Sequence, residues 1–185
     1  MSKTYERLDD TLIAFIKAQK MFFVATAPLS GEGSVNVSPK GYDSLMVIDE
    51  RTVAYLDLGG SGAETMAHVA ENGRITLMFC AFEGPPNILR LYGRGRAVAL
   101  HDPEFAGLLA RFPGFDRARA VIVVELMRIA DSCGWSIPFY EFKGERDQLR
   151  RWVEHRPIEA WAERRYEANA LSIDGLPALV RPGTV

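Results

Sequence analysis

The sequence predicts a mainly β protein, a six- or seven-stranded antiparallel barrel with helices at its N- and C-terminal ends. Short runs rich in β-branched and aromatic residues recur between residues 21 and 129. Turns of Gly, Pro, Ser and Asp separate these runs. Long helical patterns are confined to the two ends, so the regular alternation of strand and helix that marks a doubly wound nucleotide fold is missing.

The elements of the first half follow from periodicity and turn chemistry. Apolar residues at helical spacing predict an amphipathic helix over residues 5–19. Residues 39–41, Pro-Lys-Gly, should end the second strand, because proline cannot donate to a ladder and glycine permits a bend. The strands of this half are predicted at residues 21–27, 34–38, 45–48 and 52–58.

The second half begins with a helix over residues 64–72, which Asn72 and Gly73 should stop as a C-cap. Asp102 and Pro103 suit the start of another short helix. A charged helical stretch at residues 145–169 is broken near Pro157. Strands are predicted at residues 74–82, 88–100, 120–129 and, as a short last one, 139–142. Residues 1–143 should form the barrel, and residues 144–185 a helical extension and tail of the same domain.

Composition narrows the class of protein. The 185 residues are 48% hydrophobic and carry a formal net charge of −2, which argues against electrostatic binding of nucleic acid. Neither an apolar run of membrane-span length nor a signal-peptide pattern occurs. The two cysteines, Cys80 and Cys133, are far apart in sequence, so a disulfide framework is not expected. Cys133 should be a buried small thiol, with contact to a bound ligand as the alternative. We therefore expect a cytoplasmic protein. The scattered histidines predict no metal site.

The turn at residues 59–65, GGSGAET, is the clearest candidate site. It follows a strand and opens a helix, so it should present free backbone N–H groups to an anion. Ser61 and Thr65 could add hydroxyls. Such a site suits the phosphate of a nucleotide-like cofactor, although the same pattern also suits a simple capped turn. Because side chains fill a small barrel, the ligand should lie on the barrel wall or at a subunit interface.

Four motifs in order carry a resemblance to a known family. They are VNVSPKG at residues 35–41, YLD at 55–57, GSG at 60–62 and ENGRITLMF at 71–79. Over about residues 17–129 the chain resembles the pyridoxamine 5′-phosphate oxidase-related proteins, which are FMN-binding split β-barrels. The runs FCAFEGPP at residues 79–86 and SCG at 132–134 are similar to a flavin-nucleotide-binding subgroup of that family.

The resemblance implies an FMN-dependent oxidoreductase that acts as a homodimer, with the cofactor between the subunits and a nicotinamide nucleotide or another small molecule as substrate. The strand ending at Lys40 would run along the flavin ring, and Lys40 would reach its N1 and O2 edge. Trp135 could stack on the ring or fill the dimer interface. Asp57 could touch the ribityl chain or pair with an arginine. The expected cofactor-binding residues are Val37, Ser38, Lys40, Tyr55, Asp57, Ser61, Gly62, Thr65, Arg90 and Trp135; no catalytic acid or base is identified.

The chain departs from the oxidase pattern at the phosphate site. Glu64 and Thr65 replace a basic pair, and Val35 replaces a strand arginine. Arg74, Arg90 or another arginine could neutralise the phosphate, the backbone and hydroxyls could suffice, or the ligand could differ from FMN. The C-terminal Trp and Arg motif of the oxidases is also missing, which argues against vitamin B6 oxidation.

Other functions stay open at this point. Weakened phosphate contacts would suit a flavin carrier or sensor without turnover. A related barrel could instead bind a deazaflavin, whose acidic tail would need the alternating Arg90, Arg94 and Arg96, or haem, which would need an axial ligand that the scattered histidines do not suggest. A structural dimer module is the remaining alternative.

Overall fold

A computed structural model describes residues 2–183 and contains one eight-stranded sheet. Strands β1 to β8 are Thr4–Tyr5, Phe22–Thr26, Asn36–Lys40, Leu45–Asp49, Thr52–Asp57, Arg74–Cys80, Ile88–Ala99 and Ala120–Ser132; helices α1 to α5 are Asp10–Ala18, Glu64–Asn72, Phe105–Leu109, Gln148–Glu154 and Ile158–Ala168.

The sheet confirms the predicted mainly β fold. Its strands run in the order β3-β2-β6-β7-β8-β5-β4, and every neighbouring pair is antiparallel. The sheet curls into a half-barrel whose edges are β3 and β4, as in split β-barrels. The two-residue strand β1 pairs with β8 and brings the number of strands to eight rather than six or seven.

Several predicted boundaries were wrong for local reasons. Helix α1 begins at Asp10 rather than at residue 5, because the Asp9 side chain caps it by accepting a hydrogen bond from the Leu12 amide at 2.8 Å. Pro39 lies inside β3 instead of ending it, since β3 is an edge strand where a missing N–H is tolerated. The predicted last strand at residues 139–142 is irregular backbone.

The larger of two buried hydrophobic clusters joins the sheet to helices α1 and α2. Helix α1 contributes Leu12 and Ile16, and α2 contributes Met66 and Val69. The strand side chains that meet them are almost all buried, among them Val24, Leu77, Phe79, Leu89, Leu91, Ile122 and Val124. Within residues 2–183, no helix is long and apolar enough to cross a membrane.

Gly93 lies where strands β7 and β8 shift register, and its lack of a side chain is a packing requirement. A Cβ atom on Gly93 would lie 2.3 Å from the Glu125 carbonyl oxygen and 2.7 Å from a Val124 methyl group. We expect Gly93→Ala to lower the free energy of unfolding by about 1–3 kcal/mol, as overpacking does. Urea unfolding measures it. Gly107→Ala, with open space around its Cβ in helix α3, is the control and should leave stability unchanged or slightly higher. Equal stability of the two variants would contradict the prediction.

Candidate functional site

A groove of about 630 Å³ separates edge strand β3 from the start of helix α2. The sequence-predicted residues Val37, Ser38, Lys40, Ser61 and Gly62 line it together. The other lining residues are Ser34, Val35, Asn36, Gly60, Glu64, Arg119 and Ile173.

Residues 59–62, here called the glycine turn, form one wall of the groove. Gly59 has a left-handed backbone (φ 83°), which glycine adopts without strain, and its amide donates to the Asp57 carboxylate at 3.2 Å. Within residues 2–183, the amides of Gly60, Ser61 and Gly62 donate no hydrogen bond. Helix α2, which follows, has no side-chain cap at its N-terminus. The turn therefore offers unused N–H groups and the positive end of a helix dipole.

Side chains from behind hold the carbonyl groups of the glycine turn. Arg119 donates to the Gly62 carbonyl at 2.8 Å, and Arg165 donates to the Gly60 carbonyl at 3.0 Å. The Asn169 amide group lies within 3.4 Å of the carbonyls of Gly60 and Ser61. Because the carbonyl groups are engaged on that side, these contacts fix the conformation of the turn. Arg165 and Asn169 come from the end of the chain, and sequence reasoning missed both.

Asp57 pairs with Arg119 beneath the groove. Of the two roles predicted for Asp57, a contact with the ribityl chain or a pair with an arginine, the structure contains the pair. Both carboxylate oxygens accept from the guanidinium, at 2.8 and 2.9 Å, and each side chain is 3% exposed. Burial acts to raise the pKa of Asp57, but the charges of Arg119 and Lys40 and the hydrogen bonds outweigh it and hold the pKa below its usual value. Arg119 also lines the groove, so it is an arginine at the site that the four motifs do not contain.

Arg165 adds positive charge behind the glycine turn. It is 4% exposed, and its guanidinium lies 4.9 Å from the centre of the Trp152 ring. Burial lowers the pKa of Arg165, and the positive charges of Arg119, Arg164 and Arg156 act in the same direction. No carboxylate of the described chain forms an ion pair with it. The region behind the turn is therefore rich in positive charge, which favours an anion on the other side.

A buried polar network joins strand β3 to helix α2. The Asn36 side-chain amide donates to the hydroxyls of Thr65 at 3.1 Å and Thr26 at 3.3 Å, and it accepts from Ser38 at 3.2 Å. Thr26 in turn contacts His68 at 3.0 Å. Burial lowers the pKa of His68, which favours the neutral form of its ring. The predicted Thr65 hydroxyl thus holds the groove wall in place and does not line the groove.

The remaining predicted residues lie elsewhere. Tyr55 is fully buried in the barrel core, where its ring meets Phe22 edge-on at 5.6 Å. Trp135 is 84% exposed on the segment after β8. Arg90 donates to Ser132 at 2.9 Å. None of the three lines the groove, so the structure brings only part of the predicted set together.

The alternating arginines of strand β7 do not share one target. Arg94 donates to the Asn72 carbonyl, whereas Arg96 pairs with Glu104. Arg74, another candidate for phosphate neutralisation, donates to the Pro28 carbonyl at 2.9 Å. Each of these guanidinium groups contacts its own part of the protein surface.

The C-terminal tail closes one end of the groove. The Asp174 carboxylate accepts from the Ser34 amide at 2.7 Å and from its hydroxyl at 3.1 Å. The Glu64 carboxylate accepts from the Ile173 amide at 3.3 Å and lies over Gly62. Glu64 thus brings a negative charge to the groove, on the side of the tail.

Neither a cysteine nor a histidine of the described chain lines the groove. Cys133 is exposed rather than buried as expected, because it follows the end of β8 in an open loop, whereas Cys80 is buried. Among residues 2–183, no group of three or more His, Cys, Asp or Glu side chains is placed to hold a metal ion.

Comparison with known proteins gives one consistent result. Residues 8–133 match the model of the protein family described as "Pyridoxamine 5′-phosphate oxidase". The pyridoxamine 5′-phosphate oxidase family protein ustO of Aspergillus flavus is 36% identical over 192 residues, which cover 95% of this chain and 77% of that protein.

Solved structures share the fold at lower identity. HupZ of Group A Streptococcus is 21% identical with a TM-score of 0.55, and the match covers 66% of this chain and 91% of HupZ. A pyridoxamine 5′-phosphate oxidase candidate from Lactobacillus delbrueckii is 16% identical with a TM-score of 0.52, and the match covers 69% of this chain and 98% of that one. The curled half-barrel is therefore common to all three structures.

Proposed function

The chain belongs to the pyridoxamine 5′-phosphate oxidase family, and we propose that it is an FMN-dependent oxidoreductase whose cofactor lies in the groove between β3 and the glycine turn. The observation that carries this proposal is the turn itself. Its amides at residues 60–62 are unused, and the charge behind it is positive. An anion such as a phosphate is the ligand that this combination favours.

The groove residues fit a flavin nucleotide. The Ser61 hydroxyl and the turn amides would hold the phosphate, and Arg119 would supply a guanidinium next to it. The Nε of Arg119 is buried and has no hydrogen-bond partner in the described chain, so donor capacity is left over at this place. Lys40 lies at the far end of the β3 wall, where it would contact the ring system.

The chemistry divides between cofactor and protein. A bound flavin would supply hydride exchange with a small substrate such as a nicotinamide nucleotide. The protein would supply position and charge: the Asn36 network fixes strand β3, and the Lys40 ammonium group favours negative charge at its end of the groove. No side chain of the groove is assigned as a proton donor or acceptor for the substrate.

We further propose that a second copy of the chain covers the groove in a cytoplasmic homodimer. Val35, Val37 and Ile173 border the groove and are 72%, 62% and 72% exposed. Apolar side chains clustered around a polar groove are typical of an interaction surface. The molar mass in solution, measured by light scattering, should equal twice the 20.6 kDa of one chain.

Glu64 favours a second candidate function, a flavin carrier or sensor without turnover. A carboxylate at the phosphate end weakens binding by repulsion unless it stays turned toward the Ile173 amide. Deazaflavin and haem receive less support, since Arg90, Arg94 and Arg96 have separate partners and no histidine lines the groove.

The visible absorption spectrum of the purified protein, with the released chromophore identified by mass, tests the proposal. Two flavin bands and free FMN would support it, and flavin reduction by a nicotinamide nucleotide would then separate the oxidoreductase from the carrier. A Soret band would show that the ligand is haem rather than FMN, and a deazaflavin spectrum would show that it is a deazaflavin. A colourless protein that also fails to take up added FMN would overturn the flavin assignment.

Lys40→Ala is expected to weaken FMN binding about tenfold, which corresponds to the loss of one charge-assisted contact of ~1.4 kcal/mol. It should also make the midpoint potential of the bound flavin more negative, because a nearby cation favours the reduced, more negative form. Fluorescence titration and dye-coupled reduction measure the two effects. Lys17→Ala, which removes an exposed charge on helix α1 outside the groove, is the matched control. Identical values for both variants would remove Lys40 from the site.

A further inference from the structure

A second cavity, of about 470 Å³, opens beside the flavin groove and is not used by it. We call it the aromatic pocket, because Tyr42, Phe82, Tyr140 and Phe142 line it together with Met21. Its volume falls within the range of roughly 300–1,000 Å³ found for small-molecule sites. The pocket therefore has the size and the lining of a ligand site.

Residues 140–146, here called the strap, form the outer wall of the aromatic pocket. The strap has no regular secondary structure, yet it is tied to the barrel. The Tyr140 amide donates to the Phe82 carbonyl at 3.1 Å, and the two rings lie 5.4 Å apart. The Tyr42 hydroxyl donates to the Arg146 carbonyl at the other end. Specific contacts therefore attach both ends of this wall to the rest of the protein.

The loop below the strap is conformationally unusual. Tyr42 and Asp43 both have left-handed backbones, with φ of 66° and 54°, although neither is glycine. Such conformations are costly and are concentrated at functional sites, where the surrounding structure enforces them. Tyr42 is one of the residues that line the pocket, directly after Lys40 and Gly41.

The pocket joins the groove through one residue. Lys40 lines both cavities, and Pro39 and Gly41 beside it line the aromatic pocket. A molecule in the pocket would therefore lie next to the end of the flavin groove. The charges around the pocket balance, so a neutral ligand suits it better than an ion. The basic residues are Lys20, Lys40 and Arg146, and the acidic ones are Glu83, Glu141 and Glu145.

We propose that the aromatic pocket is the substrate site of the flavin reaction and takes a flat, neutral, largely apolar aromatic molecule of two or three rings. Its place as a substrate site rests on the proposed function of the groove. The binding of the aromatic molecule does not depend on that function, because only protein residues, and no part of a flavin, line the pocket. The two ideas can therefore fail separately.

Titration of the flavin-free protein with 2-naphthol, followed by naphthol fluorescence and calorimetry, tests the pocket. We expect saturable binding that Phe142→Ala and Tyr140→Ala each weaken by about three- to tenfold, since each removes an aromatic wall. Phe139→Ala is the matched control: Phe139 precedes the strap, is 79% exposed and does not line the pocket. No saturable binding, or equal binding by all three variants, would overturn the proposal.

The flavin-loaded protein tests the link to the groove. Adding 2-naphthol should shift the visible flavin bands, because the pocket adjoins the groove at Lys40, and Phe142→Ala should keep its FMN affinity within about threefold of the parent while losing the shift. Naphthol binding without a spectral shift would overturn the assignment as a substrate site. Loss of FMN binding in Phe142→Ala would mean that the pocket holds the flavin ring itself, which would overturn its assignment as the substrate site. Failure of the parent protein to bind FMN would overturn the proposed function and leave the naphthol titration to decide the pocket.

Discussion

Replacing Asp57 by Asn is expected to lower the free energy of unfolding by about 3–5 kcal/mol, because it leaves the Arg119 guanidinium buried without a counter-charge. The carboxylate and the guanidinium are joined by two hydrogen bonds, and each side chain is only 3% exposed. Urea unfolding at neutral pH measures the change. Glu50→Gln breaks the exposed pair with Arg7 and is the control, for which we expect a change below about 1 kcal/mol.

A double variant separates the cost of the unpaired charge from the value of the pair. Asp57→Leu combined with Arg119→Met removes both charges, so it should be more stable than Asp57→Leu alone. If Asp57→Asn unfolds at the same urea concentration as the parent protein, the pair does not hold the strand ends together.

The same pair predicts a pH dependence. The pKa of Asp57 is lower in the folded protein than the value of about 3.9 for an unperturbed aspartate. Its contribution to stability is therefore complete above a pH of about 4 and is lost as the pH falls further toward the folded-state pKa. The Asp57→Asn variant should lack this part of the decrease in stability at acidic pH. Equal slopes of stability against pH in the two proteins, below a pH of about 4, would contradict this.

Arg165→Met is expected to weaken FMN binding by about 10- to 100-fold while leaving riboflavin binding nearly unchanged. The substitution removes the hydrogen bond to the Gly60 carbonyl and one positive charge behind the glycine turn. A hydrogen bond from a charged group contributes about 1.5–3 kcal/mol, which corresponds to the stated range. Riboflavin lacks the phosphate, so a difference between the two ligands reports on the turn rather than on general damage to the fold. Flavin fluorescence titration measures both affinities.

Arg164→Met provides the matched control for this prediction. Arg164 is the preceding residue of helix α5, is exposed and carries the same charge, but makes no hydrogen bond to the turn. It should change FMN affinity much less than Arg165→Met does. Equal losses in the two variants would mean that only long-range charge matters. Equal losses for FMN and riboflavin in Arg165→Met would mean that the turn does not hold the phosphate.

The sequence predicted local elements well where local physics decides them. Helix α2 begins at Glu64 and ends at Asn72 as predicted, because Gly73 adopts the left-handed conformation of a C-cap (φ 70°). The last predicted strand failed for the opposite reason. The short strand predicted at residues 139–142 is irregular backbone that pairs with no strand of the described chain, and residues 140–142 belong to the strap instead.

The candidate site also contains residues that the sequence could predict and contacts that it could not. Val37, Ser38 and Lys40 share one edge strand, and Ser61 and Gly62 share one turn, so short motifs were enough to predict that these residues lie near one another. The Asp57 partner is 62 residues away in sequence, and the Gly60 carbonyl is held by a residue 105 positions later. No periodicity or motif specifies which of the 22 lysine and arginine residues meets a given carboxylate or carbonyl.

The sequence by itself determined the mainly β fold, the family, and the strand and turn that form the groove, because hydrophobic periodicity, glycine turns and helix caps act over a few neighbouring residues. Only the tertiary structure decided that Arg119 and Arg165 stand behind the glycine turn, that Tyr55 belongs to the core, and that the strap encloses an aromatic pocket. Those outcomes depend on how the sheet curls and where the C-terminal helices pack. Strand pairing and burial set such long-range contacts, and many sequences with the same local pattern could satisfy them differently.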